Sequence, residues 1–160
     1  MVKKTLALML SLLLLLPVLA GNAEDAAEKE AVEKLNVLVI DYLKSQKYSY
    51  EFDGVNRFQM QFDLDNTLQT CSVQIYTYYD GISFSAWPDI NAKPEHMAST
   101  ALYVALVNTG IFYGQIILDP EDGSLRTRVF HLAEETLPGL QEVDVLLHMQ
   151  LYYLEVYGEG

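Results

Sequence analysis

Three histidines, one cysteine and a surplus of carboxylates are the residues of this chain whose chemistry goes beyond packing. His96, His131 and His148 stand far apart, and none has a second His or Cys at the short intervals a metal site uses. Zinc-protease, redox-dithiol and serine-hydrolase motifs are missing, as is a glycine-rich phosphate loop. Asp119-Pro120-Glu121-Asp122-Gly123 has the acids of a calcium loop without its alternate ligand positions or distal Glu, so it reads as a hairpin turn. Carboxylate pairs such as Asp63 with Asp65, or Glu134 with Glu135, fit an acidic surface as well as an acid–base pair. Cys71 is in phase with Val73 and Ile75, with no helix start or histidine beside it to lower its pKa, which makes it a small buried hydrophobe. The motifs supply no catalytic residue, no metal ligand and no cofactor site, and the chain is expected not to be an enzyme.

Charge narrows the partners. The chain has 160 residues, 22 acids, 10 bases and a net charge of −12. Clustered Lys and Arg, which nucleic acid and anionic lipid require, are lacking. Residues 1–23 read as a secretory signal peptide. Lys3 and Lys4 precede an apolar run from Leu6 to Leu16, then Pro17, then small residues that allow cleavage after Ala20 or Ala23. That run is shorter than the roughly 20 apolar residues of a span, so no membrane span is expected after cleavage. Losing Lys3 and Lys4 leaves the exported chain two units more negative. A lone cysteine forms no internal disulfide, so a secreted, periplasmic or envelope location demands stability from the core alone, a combination that suits a bacterium. Residues 24–160 are the right length for one domain.

The pattern of the domain alternates in period. Ala27, Ala31, Leu35, Leu38 and Tyr42 recur at helical spacing between Ala26 and Gln46. The period then falls to two: Phe58, Met60, Phe62 and Leu64 alternate with polar residues, and Cys71, Val73, Ile75 and Tyr79 do so in a strand from Leu68 to Tyr79. Asp80-Gly81, where glycine tolerates positive φ, turns the chain into Ile82, Phe84 and Ala86. A second helix starts at Pro94 with apolar positions Met97, Ala101, Leu102, Ala105 and Leu106, and Gly110 is placed as its left-handed cap. Phe112 to Leu118 and Leu125, Thr127, Val129 and His131 form a second hairpin. Capped by Thr136 with Pro138 in its first turn, the last helix carries Leu140, Val143, Leu147, Leu151 and Leu154. The order α-β-β-β-α-β-β-α predicts an α+β domain with an antiparallel five-stranded sheet and helices mainly on one side.

Binding residues follow from that phase. Tyr76 and Tyr78 lie opposite Val73 and Ile75. Either they point outward near Trp87, or the strand is buried on both faces by a helix or a dimer mate. Glu134, Glu135, Glu142, Asp144, Glu155 and Glu159 follow Arg128 without a single Lys or Arg. The candidate partner-binding residues are Tyr76, Tyr78, Trp87, Glu142 and Asp144, and the partner expected is a protein with a basic surface or a second copy. The rival reading is a small secreted enzyme or carbohydrate binder that stacks sugar on Trp87 and Tyr78.

The Asp80-Gly81 hairpin before Trp87-Pro88, the Pro94 helix ending at Asn108, Leu118-Asp119-x-x-Asp122-Gly123 followed by Arg126-x-Arg128, and the Leu151-Tyr152-Tyr153 cluster together resemble the YbjN family of bacterial sensory transduction regulators. The resemblance spans roughly residues 28 to 157. It implies a fold similar to type III secretion chaperones and a small, often dimeric, noncatalytic module that binds another protein. It supplies no catalytic residue. The signal peptide sets this chain apart from the cytoplasmic members.

Overall fold

The computed structural model describes residues 25–133 and 136–158; the expected signal peptide lies outside them. Helix α1 covers residues 25–46. Its outer face is tied by Lys34–Glu30 at 2.8 Å, while Leu35, Val39, Tyr42 and Leu43 form the buried stripe. It stops where Lys47 turns left-handed at φ 60° and the Tyr48 N–H reaches back to the Leu43 carbonyl.

Six strands follow, one more than the periodicity predicts: β1 Glu51–Phe52, β2 Arg57–Asp63, β3 Thr70–Tyr78, β4 Gly81–Pro88, β5 Gln115–Leu118 and β6 Leu125–Leu132. The extra strand, β1, is two residues long and too short to display an alternation. Its pairing with β2 puts the Phe52 ring on Phe58, centroids 4.4 Å apart. Asp53 makes that return possible by accepting the N–H groups of Val55, Asn56 and Arg57, which hold its carboxyl below the usual range. All pairings are antiparallel, in the order β1-β2-β3-β4-β6-β5.

Helices α2 (Met97–Asn108), entered through a short 3-10 turn at Pro94–His96, and α3 (Leu140–Tyr157) complete the domain. The start of α3 differs from expectation. Gly139, after Pro138, is its N-cap, and the Glu142 carboxylate accepts the Gly139 N–H at 2.7 Å. Gly110 is likewise no left-handed cap, since the positive-φ glycines are Gly54, Gly114 and Gly123.

One face of the sheet carries the core. Phe58, Met60, Cys71, Val73, Ile75, Ile82, Phe84, Ala86 and Val129 pack under α1 and α3, which contribute Val39, Leu43, Val143, Leu147 and Leu154. A polar bridge pins α1 to this face: the Thr77 hydroxyl donates to Asn36 Oδ1 at 2.6 Å, and the Asn36 amide donates to the Val55 carbonyl.

Helix α2 departs from its expected role. Of its residues only Val104 is buried, whereas Leu102 and Leu106, 64% and 62% exposed, face outward. The helix packs along edge strand β5. There the Asn108 side chain accepts the Ile116 N–H and donates to the Ile116 carbonyl, both at 2.8 Å. Among the described residues no helix is long and apolar enough to cross a membrane.

Candidate protein-binding surface

Because strand side chains alternate, burying one face commits the other residues to the reverse side. The strand registers line them up in rows. Arg57, Tyr76, Ser83 and Phe130 make one row; Glu51, Gln59, Gln74, Ser85, Arg128 and Gln115 the next; Gln61, Ser72 and Trp87 a third. Tyr78, Gly81 and Leu132 close the sheet at one end, and Asp63 with Thr70 at the other. Helices α1 and α3 sit on the core side and α2 along β5, so no helix covers this face.

The middle strand is small on this side and its neighbours are large. Gly81, Ser83 and Ser85 are buried, Gly81 beside Tyr78, Ser83 between Tyr76 and Phe130, and Ser85 between Gln74 and Arg128. Tyr76 stacks on Tyr78 at 6.3 Å, and Tyr78 meets Phe130 at 5.9 Å across the strand. Gly81 is required by this packing: a Cβ there would sit 2.7 Å from Phe130 Cζ and run into the His131 carbonyl. Its role is close approach, and the positive φ expected of the Asp80-Gly81 turn is absent.

Of the candidate residues, Tyr76, Tyr78 and Trp87 share this helix-free face. Glu142 and Asp144 do not. They belong to α3, and both carboxylates have intramolecular work: Glu142 caps its own helix, and Asp144 accepts the Tyr42 hydroxyl at 2.8 Å. Burial and that bond push the Tyr42 pKa upward. Beside it, His148 Nδ1 lies 2.9 Å from the Asp144 carbonyl and its Nε2 lies 3.4 Å from the Tyr48 hydroxyl, so the cluster latches α3 to α1 and to the segment after it. His131 meets Tyr113 at 3.1 Å on another part of the surface. Burial, reinforced by Asp89 and Glu155, pushes the Cys71 thiol up to about 12, which leaves it a poor nucleophile. Among the described residues no three of His, Cys, Asp and Glu converge as metal ligands would.

Arg126, Arg128 and Phe130 join the face without having been singled out by the sequence pattern. The alternation of Leu125, Thr127, Val129 and His131 does place them on the opposite phase of β6. What the pattern does not contain is that β6 pairs with β4, which sets Phe130 across Ser83 from Tyr76 and Arg128 beside Ser85, while Arg126 faces Ile117 on β5.

No protein family and no curated protein matches the chain. Among solved structures, a chain from the HopA1–SchA chaperone–effector complex is similar to it, with a TM-score of 0.56 and 16% identity over 78% of this chain and 93% of that one. At that identity the likeness is one of fold. The domain therefore shares a mixed α+β architecture with a chain of that complex, here with a six-stranded antiparallel sheet.

Proposed function

We propose that this chain is an exported, noncatalytic protein-binding module of the YbjN type, and that the helix-free face of its sheet is the surface that meets the partner. The observation that carries this reading is that Tyr76, Tyr78, Phe130 and Trp87 are gathered on a face no helix covers. Tyr and Trp bury large areas while keeping a polar edge, which is why interfaces are enriched in them. A fold neighbour taken from a chaperone–effector complex supports the same reading. Export rests on Lys3, Lys4, the Leu6–Leu16 run and the small residues up to Ala23.

A photo-crosslinking amino acid at position 76, expressed in the native host, tests the surface. The expected result is a discrete adduct with one protein in the exported fraction, weakened by Tyr78→Ala. Adducts no stronger than those formed from a control position at exposed Lys44 would count against the face. N-terminal sequencing of the exported protein is expected to begin after Ala20 or Ala23.

A separate observation favours self-association. From Met97 to Leu118 the chain has no Asp, Glu, Lys, Arg or His, although its net charge is −12. Here Leu102, Leu106 and Phe112, the last fully exposed, lie on the surface. Two acidic copies repel through most of their surfaces, and this charge-free patch is where they can approach. Sedimentation is expected to show a dimer that Leu102→Glu with Leu106→Glu converts to a folded monomer; a wild-type monomer at high concentration would remove this part of the proposal.

A further inference from the structure

All of the arginines in this sequence, Arg57, Arg126 and Arg128, are on the helix-free face of the sheet. In a chain with 22 acids this is an uneven distribution. Arg57 has an exposed ion pair with Asp53 at 3.8 Å. Among the described residues Arg126 and Arg128 pair with no carboxylate. The acids that reach this side stand at its margins: Glu51 on edge strand β1 is across from Gln59, and at one end Asp63 is across from Thr70 while Asp89 accepts the Thr70 hydroxyl. Between those margins and the Tyr78 row, strands β2, β3, β4 and β6 present only guanidinium, aromatic, amide and hydroxyl groups, and β5 adds Gln115 and Ile117.

We propose that the helix-free sheet face is a receptor for an acidic segment of a protein partner, with Arg126 and Arg128 taking its carboxylates and Tyr76, Tyr78, Phe130 and Trp87 its apolar side chains. This rests on the protein-binding reading above and reverses the charge expected from composition: the molecule is acidic, yet its binding face is not. Guanidinium groups bind carboxylates through paired N–H donors, and a flanking aromatic surface excludes the water that would weaken those bonds. A polyphosphate is a poor alternative. Three guanidiniums on a chain of net charge −12 do not neutralise a run of phosphates against the field of the remaining surface.

Selection from a random twelve-residue peptide display library against the purified protein tests this directly. Three targets are compared: wild type, Arg126→Gln with Arg128→Gln, and Tyr76→Ala with Phe130→Ala. Circular dichroism and thermal melting confirm that each is folded. Peptides recovered on wild type are expected to be enriched in Asp and Glu, to bind about tenfold more weakly to the arginine variant, and to weaken further as salt is raised. Peptides that depend on Tyr76 and Phe130 but show no acidic bias would overturn the acidic specificity and leave the face intact as a binding surface. If nothing is recovered, or if the recovered peptides are indifferent to both variants, the face itself fails. Arginine-dependent binding of a labelled thymidine dodecamer as tight as that of the acidic peptides would also overturn the proposal.

Discussion

Helices α2 and α3 are both rich in apolar residues and differ in what they cover. Over its eighteen residues α3 buries Val143, Leu146, Leu147, Gln150, Leu151, Tyr153 and Leu154 against strands β4 and β6. Over its twelve, α2 buries Val104 alone and leaves Leu102 and Leu106 in solvent. The first helix is explained by the fold of one chain. In the second, the fold of one chain explains Val104 and Asn108 but not the outward Leu102 and Leu106, on which the proposed self-association rests.

The sharpest way to break that comparison is to truncate the same residue type in both helices. Leu147→Ala, at a fully buried site, is expected to cost about 2–5 kcal/mol in urea denaturation, whereas Leu106→Ala is expected to change the stability of the monomer by less than about 0.5 kcal/mol. Equal losses would mean that α2 is a core element after all. Next in size is Asn108→Ala, which strips both hydrogen bonds from Ile116 and should lower stability by about 1–3 kcal/mol. Tyr42→Phe removes the hydroxyl that α1 donates to Asp144 and is expected to cost about 1 kcal/mol, with the midpoint shift as the readout. Gln150→Leu runs the other way. Gln150 is fully buried and its Oε1 has no partner among the described residues, so an apolar replacement is expected to raise the urea midpoint, by up to about 1 kcal/mol in stability.

Cys71 provides a probe of the covered face. Its thiol holds its proton up to about 12 in the folded protein, against an ordinary value of 9.0, so the unfolded chain releases that proton first. Stability is therefore expected to fall as pH rises between those values, and a Cys71→Ala variant should flatten that slope. At about pH 8, just below the ordinary thiol value, a disulfide reagent should label Cys71 slowly in wild type and faster in Leu147→Ala.

Long alternations are legible in the amino-acid sequence. The strands around Phe58–Phe62, Cys71–Ile75 and Ile82–Ala86 appear as expected because each has a buried face that fixes its phase. Tyr76 and Tyr78 fall on the expected side for the same reason. Three features leave no such trace. Strand β1 is held by the side chain of Asp53 and by a ring contact, neither of which is periodic. The outward turn of α2 is hidden because Leu102 and Leu106 have helical spacing whichever neighbour they face. Glu142 and Asp144 look free as sequence positions because their partners, Gly139 and Tyr42, are set by a helix start and by a packing between helices distant in the chain.

The side chain of Asn108 bears on what surrounds the molecule. An outer strand offers unpaired peptide groups to any extended polypeptide that drifts past. By occupying both groups of Ile116, one primary amide ends the ladder at β5 as a further strand would, without being able to pass the pattern on. A residue that lies outside both the core and the arginine-bearing face thus takes from the sheet edge the peptide groups of Ile116 that a further strand would pair with.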